Sequence, residues 1–135
     1  MKHNLFKPQS FDEGRHNVVG DCNGIPMDVR YREETPVFAN GILAVLNAGD
    51  KKYIPKILDY GCGVGRLSKA LVGRELGVHV HGVDASVEMQ YLAQENVNSD
   101  RFHVFSPEDL VAPEFYDIAI LVYVLQRFPV TIKDR

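Results

Sequence analysis

The sequence predicts an α/β chain folded as a doubly wound, mostly parallel sheet. Three observations predict it. An apolar run at Ile57-Leu58 stops at an acid, Asp59. Glycines then follow at alternate positions, Gly61, Gly63 and Gly65, before a helical pattern begins. Further apolar runs recur at 78–83, 102–105 and 115–125, with helical patterns between the earlier ones. Strands that alternate with helices require right-handed crossovers, and hence parallel strands.

The elements are expected in this order. Residues 1–30 carry turn formers at Gly14, Gly20, Asn23-Gly24 and Pro26 and read as mostly irregular, with room for one short helix. Thr35-Pro36 reads as a helix start, with Thr35 as N-cap and Pro36 at the first position. Val37, Phe38, Ile42, Leu43, Val45 and Leu46 form its apolar stripe, and Asn47-Ala48-Gly49 closes it. The first strand runs from Ile54 or Lys56 to Tyr60. The helix after the glycines runs from about Gly65 to Arg74, with Gly77 as its stop. The second strand is 79–83. Ser86 caps the next helix, which carries Val87, Met89, Leu92 and Ala93 to about Asn96. The third strand is 101–105. Ser106-Pro107-Glu108-Asp109 then reads as a capping box that opens a short helical turn. The fourth strand is 116–122, and Pro129 interrupts any helix beyond Arg127.

Bulk properties narrow the function. At 135 residues the chain is expected to be one domain, 1–135, with residues 1–50 as an N-terminal segment and helix and 51–135 as the βαβ core. It is 45% hydrophobic and 24% charged, which suits a soluble globular protein. The net charge is −3 and no basic tract stands out, so nucleic-acid binding has no electrostatic support. The longest apolar run, Ile118 to Leu125, is too short to span a bilayer. Met1-Lys2-His3-Asn4 lacks the apolar core of a signal peptide. Cys22 and Cys62 suggest neither a disulfide scaffold nor a zinc site, so a reduced, cytoplasmic protein is expected. His3, His16, His79, His81 and His103 show no metal-ligand spacing, and no metal is assigned.

The glycine turn indicates a ligand at the carboxyl ends of the strands. Glycine there admits backbone angles closed to other residues and clears side chains from a bound molecule. The helix behind it directs free N–H groups and a partial positive charge at that molecule. The dinucleotide pattern G-x-G-x-x-G fits Gly61 and Gly63, but its third position holds Arg66, where close helix–strand packing wants glycine. The observed pattern is Asp59-x-Gly61-x-Gly63-x-Gly65. A carboxylate beside the turn is a poor neighbour for phosphate and a good one for an ammonium group. S-adenosylmethionine (SAM) carries an ammonium, a carboxylate, a ribose diol and adenine without phosphate, and suits this turn better. The second strand ends in another acid, Asp84, placed to accept both ribose hydroxyls.

With these residues the chain resembles the class I SAM-dependent methyltransferase family, whose glycine motif is h-D-h-G-x-G-x-G. The resemblance extends to Asp84, Ser86 and Met89, which match D-x-S-x-x-M, and to the fourth strand with the loop after it, over about residues 57–127. It implies a Rossmann-like methyltransferase core of strand order 3-2-1-4, truncated after the fourth strand, with SAM as cofactor. The implied cofactor residues are Asp59, Gly61, Cys62, Gly63, Asp84, Ala85, Met89, Pro107, Glu108, Asp109, Val122 and Tyr123. Asp59 either holds the methionine ammonium or only caps the turn. Asp84 either binds ribose or caps a helix. In the family an acid after strand three takes the adenine amino group, but Ser106 and Pro107 stand at that place here. Glu108 or Asp109 then serves, or adenine is packed by Met89 and Ala85. Cys62 is a small loop residue rather than a reactive thiol. Arg66, Arg30 and Arg32 are rival partners for the methionine carboxylate. Tyr123 is expected near the methionine portion, and Gln126-Arg127 form a weaker acceptor-side pair.

The implied reaction moves a methyl group from SAM to an unidentified acceptor, with a small molecule as the default and no catalytic base assigned. A SAM-binding module or partner subunit without transferase activity is the alternative. A nucleotide-binding oxidoreductase is disfavoured by Arg66. The pattern ends soon after strand four, which suggests a fragment, a small member or half of an assembly. An unpaired fourth strand would be a template for association, so a homo-oligomer through that edge is expected.

Overall fold

The structure, a computed structural model, describes residues 27–47, 54–74, 77–110 and 116–122. Its elements are helix α1 (Met27–Asn47), strand β1 (Lys56–Tyr60), helix α2 (Arg66–Val72), strand β2 (His79–Val83), helix α3 (Val87–Val97), strand β3 (Phe102–Phe105), a 3-10 turn (Pro107–Asp109) and strand β4 (Ile118–Ile120). The strands form one parallel sheet in the order β3-β2-β1-β4. This is the order that the resemblance implies. Because all four run the same way, their carboxyl ends share one edge. The order reverses between β1 and β4, where open parallel sheets bind ligands.

Alternation along the strands sorts residues between two faces. Ile57 of β1, Val80 of β2, Phe102 of β3 and Ile120 of β4 are buried. They pack with Ala39 and Leu43 of α1, Leu67, Leu71 and Val72 of α2, and Ala93 and Val97 of α3 in one cluster. The other face carries Lys56, Leu58, Tyr60, His79, His81, His103 and Phe105, all half-buried or exposed among the described residues. There His81 Nδ1 lies 2.9 Å from the Tyr116 hydroxyl, and its ring meets those of His103 and Phe105 edge-on. Strand four is not covered on both faces, as an interior strand of a doubly wound sheet would be. Instead Ile118 and Ile120 face the core, while Ala119 is exposed and Leu121 is 46% exposed. It is also shorter than expected, and Asp117 sets its start. The Lys56 N–H donates to the Asp117 carboxylate at 2.8 Å, and the Asp117 N–H donates to the Lys56 carbonyl at 2.8 Å.

Helix α1 departs most from expectation. It begins at Met27, so Thr35 is not its N-cap and Pro36 lies inside it. Proline lacks the N–H that an interior position donates and crowds the preceding turn, so a start at Thr35 was the local reading. A tertiary contact overrides it. Tyr31, Glu34 and Thr35 share one helical face, and all three engage Arg66 of α2. Arg66 lies 5.3 Å from the Tyr31 ring centroid, its Nη1 is 3.8 Å from Glu34 Oε2, and the same nitrogen donates to the Thr35 hydroxyl at 3.4 Å. The buried stripe is accordingly Thr35, Ala39 and Leu43, flanked by Ile42 and Leu46. Val37 and Val45, expected inside, are 70% and 64% exposed. The helix ends at Asn47, as expected.

The later helices differ less. Helix α2 stops at Val72, with Gly73 rather than Gly77 as its C-cap. Gly77 instead turns the chain into β2 with φ 66°. Ser86 caps α3 as expected, its hydroxyl accepting the Met89 N–H at 3.3 Å. Of the apolar residues of α3, Val87 is exposed, while Met89, Ala93 and Val97 are buried. At the 3-10 turn no capping box forms. The Ser106 carbonyl accepts the Asp109 N–H at 3.1 Å, and the hydroxyl donates to Asp109 Oδ2 at 2.7 Å. The tight i→i+3 closure uses the N–H that a capping box would direct to the hydroxyl.

Candidate functional site

The site is built where β1 ends. Burial alternates along β1, so Asp59 lies on the same side as Ile57 and is only 4% exposed. Its register partners are Gly82 of β2 and Ile120 of β4. A carboxylate there is held away from water and needs partners. Ser68, on the first turn of α2 and fully buried, supplies one: its hydroxyl donates to Asp59 Oδ2 at 2.7 Å. Burial nevertheless pushes the Asp59 carboxyl up from 3.8 to about 6. Ser68 and the Arg66 charge oppose that rise, and the Asp84 charge adds to it.

The turn after Asp59 is anchored to β2. Gly61 and Cys62 donate their N–H groups to the Val83 carbonyl at 2.7 and 3.0 Å. Gly61, Gly63 and Gly65 all take left-handed backbone angles, with φ of 76°, 55° and 76°. Gly65 performs the close-packing role that Arg66 could not. A Cβ on Gly65 would stand 2.7 Å from Val97 Cγ2 and 3.4 Å from the Ala93 Cβ, so α3 lies directly against the turn. Asn96 of α3 adds a donor to the Val64 carbonyl at 2.8 Å. Beneath the turn, a Cβ on Gly82 would stand 2.9 Å from both Cys62 Sγ and the Phe102 ring, so that glycine makes room for Cys62. Cys62 is buried, and desolvation with the Asp59 and Asp84 charges holds its thiol well above the usual range. Its side chain packs in the buried cluster beneath the turn.

Asp84 follows β2 and is half-buried. Its Oδ2 accepts the Gly63 N–H at 3.0 Å, and its Oδ1 accepts the Ser86 N–H at 2.9 Å. These two bonds hold the Asp84 carboxylate against the glycine turn and the start of α3. The Asp84 N–H in turn donates to the Phe105 carbonyl at 3.2 Å, which ties the β2 and β3 ends together.

Most of the expected residues therefore lie along one edge. Asp59, Gly61, Cys62 and Gly63 follow β1. Asp84, Ala85 and Met89 follow β2, with Ala85 exposed and Met89 buried. Pro107, Glu108 and Asp109 follow β3, the first half-buried and the acids exposed. Val122 follows β4 and packs on the core. Tyr123, Gln126 and Arg127 lie outside the described residues, as does the side chain of Arg30. Arg32 is not brought to the site: it is exposed and lies 3.8 Å from its neighbour Glu33. Arg66 is close to Asp59 but held by α1. Ser68 was not singled out in the sequence. The signal was there, because Leu67, Ser68, Leu71 and Val72 form the buried stripe of α2. A polar residue on such a stripe requires a partner. Among the described residues no group of three His, Cys, Asp or Glu side chains could hold a metal ion. None of the described helices is long and apolar enough to cross a membrane.

No curated protein sequence matches the chain. Solved structures that share its fold include two methyltransferases. The magnesium protoporphyrin IX methyltransferase of Synechocystis PCC 6803, with bound SAM, is 30% identical over 68% of this chain and 46% of its own, with a TM-score of 0.51. The plantazolicin methyltransferase BpumL, in complex with SAH, is 18% identical over 78% of this chain and 43% of its own, with a TM-score of 0.53. The chain thus spans less than half the length of either protein. A family model described as a methyltransferase domain matches residues 31–133. With the strand order, the glycine turn and the two acids in place, the chain belongs to this methyltransferase-domain family.

Proposed function

We propose that this protein binds SAM at the carboxyl edge of its sheet and transfers the methyl group to a small-molecule acceptor. The observation that carries this reading is the pair of acids on either side of the glycine turn: Asp59, buried with a hydroxyl as its hydrogen-bond partner, and Asp84, bonded to the turn itself. Two carboxylates repel a pyrophosphate and suit a ligand that brings an ammonium and a diol. Asp59 holds the ammonium and Asp84 accepts from the ribose hydroxyls. Gly61 and Gly63 let the ligand lie against the backbone, and Ala85 with Met89 forms the adenine side. The sulfonium supplies an activated methyl group for in-line displacement, so the chain contributes chiefly by positioning. Membership of the methyltransferase-domain family supports the same reading.

The test is turnover. Labelled SAM, incubated with the protein and a library of small nucleophiles, should yield S-adenosylhomocysteine with at least one acceptor. Binding without turnover for any acceptor assigns the chain to the alternative, a SAM-binding module. Asp84→Ala is expected to weaken SAM binding about ten- to 150-fold, the value of one charge-assisted hydrogen bond. Unchanged affinity in calorimetry would remove Asp84 from the site. A reduced cytoplasmic setting belongs to the same proposal, because two cysteines suggest no disulfide scaffold. We also propose self-association along β4, which among the described residues pairs with β1 alone. A monodisperse monomer in light scattering at micromolar concentration would contradict that assembly.

A further inference from the structure

The reading above uses the buried Ser68 hydroxyl only as the hydrogen-bond partner of Asp59, and its geometry gives it a further role. It is fully buried on the apolar stripe of α2, where alanine would serve packing equally well, and it donates to Asp59 Oδ2 at 2.7 Å. We propose that Ser68 is a positioning residue for the cofactor's ammonium: its hydroxyl fixes one oxygen of Asp59 and keeps the carboxylate ionised, so that the other oxygen is presented to the ligand. This rests on the SAM reading. The hydroxyl acts through Asp59 and need not touch the ligand.

Other groups around Asp59 make Ser68 necessary. On α2, Arg66 favours the carboxylate, but its guanidinium is committed to Glu34, Thr35 and the Tyr31 ring of α1. After β2, Asp84 opposes ionisation, and from the turn comes the neutral thiol of Cys62. Beside it, Gly82 of β2 and Ile120 of β4 contribute no polar side chain. Ser68 heads the influences that counter desolvation at this carboxyl, ahead of Arg66. A hydrogen bond to the charged form stabilises that form.

The experiment compares the full chain with Ser68→Ala and Ser68→Thr. The Asp59 carboxyl carbon is followed by NMR through a pH titration of the ligand-free protein, assigned with Asp59→Asn. SAM affinity is measured by calorimetry across the same pH range. In Ser68→Ala the Asp59 midpoint should move to higher pH. SAM binding should weaken roughly tenfold near pH 5.5 and by less than about twofold near pH 8, since one pH unit of displacement is one decade of affinity. Ser68→Thr, which keeps the hydroxyl, should restore both profiles. An unmoved Asp59 midpoint in Ser68→Ala overturns the role of Ser68, as does an equal loss of affinity at every pH. Failure of the unaltered chain to bind SAM overturns the cofactor reading, and the proposal with it. That outcome is distinguishable because the NMR titration needs no ligand.

Discussion

Asp59→Asn is expected to make the ligand-free protein more stable at about pH 8 while weakening SAM binding at least tenfold. The first effect follows from burial. The Asp59 carboxyl is raised from 3.8 to about 6 in the folded chain, which at about 1.4 kcal/mol per unit is a cost of about 3 kcal/mol for ionising it there. Between 3.8 and about 6 the folded state binds more protons than the unfolded state. Stability from this group is therefore highest below that window, falls as pH rises through it, and is flat above. Asparagine is neutral throughout, so its advantage should vanish near pH 4 and reach about 1–3 kcal/mol near pH 8. The second effect follows from charge, because an amide does not neutralise an ammonium. Denaturant melts at the two pH values and a calorimetric titration check both effects. A destabilised variant at pH 8, or one that binds SAM as tightly as the parent, would show that Asp59 is a structural cap alone. A gain in stability with a loss in binding is the usual signature of a residue kept for function.

Gly65→Ala is expected to cost about 2–5 kcal/mol and to loosen the turn. A side chain at φ 76° incurs about 1–2 kcal/mol of backbone strain. The added Cβ would also stand 2.7 Å from Val97 Cγ2, an overpacking cost of about 1–3 kcal/mol. The two terms can be separated. Val97→Ala in the Gly65→Ala background relieves the collision and leaves the strain, so the double variant should be more stable than the sum of the singles predicts. Gly41→Ala is the control. It lies in α1 with nothing within 4 Å of the added atom, and should stabilise by about 0.5–1 kcal/mol. Equal stability of Gly65→Ala and the parent in equilibrium denaturation would refute the close approach of α3 to the turn.

The strands were legible because their signals are local, and their order because the motifs resemble those of a known family. An apolar run that stops at Asp59 and Asp84, with glycines after the first, specifies strand, turn and helix without reference to the rest of the chain. Ser86 was legible as a cap for the same reason. What the sequence concealed depends on contacts between distant elements. Thr35-Pro36 has the composition of a helix start, yet Arg66, about thirty residues on, holds Tyr31, Glu34 and Thr35 on one continuous helical face. The closeness of Gly65 to Val97, and of Gly82 to Cys62 and Phe102, is likewise fixed by how α3 and β3 pack. Ser68 escaped notice because a serine in a helix is ordinary until its neighbours on the stripe are known to be buried. At the 3-10 turn, four residues with capping-box composition closed more tightly than an α-helical turn, and the hydroxyl changed partners.

On the proposed reading the glycine turn, with Asp59 and Asp84 on either side of it, accepts a zwitterionic sulfonium nucleoside and rejects a pyrophosphate. Parallel calorimetric titrations of the full chain with SAM and with NADH near neutral pH test it most directly. Saturable binding of one SAM per chain is expected, with no measurable heat from NADH. Saturable binding of NADH with none of SAM would contradict it.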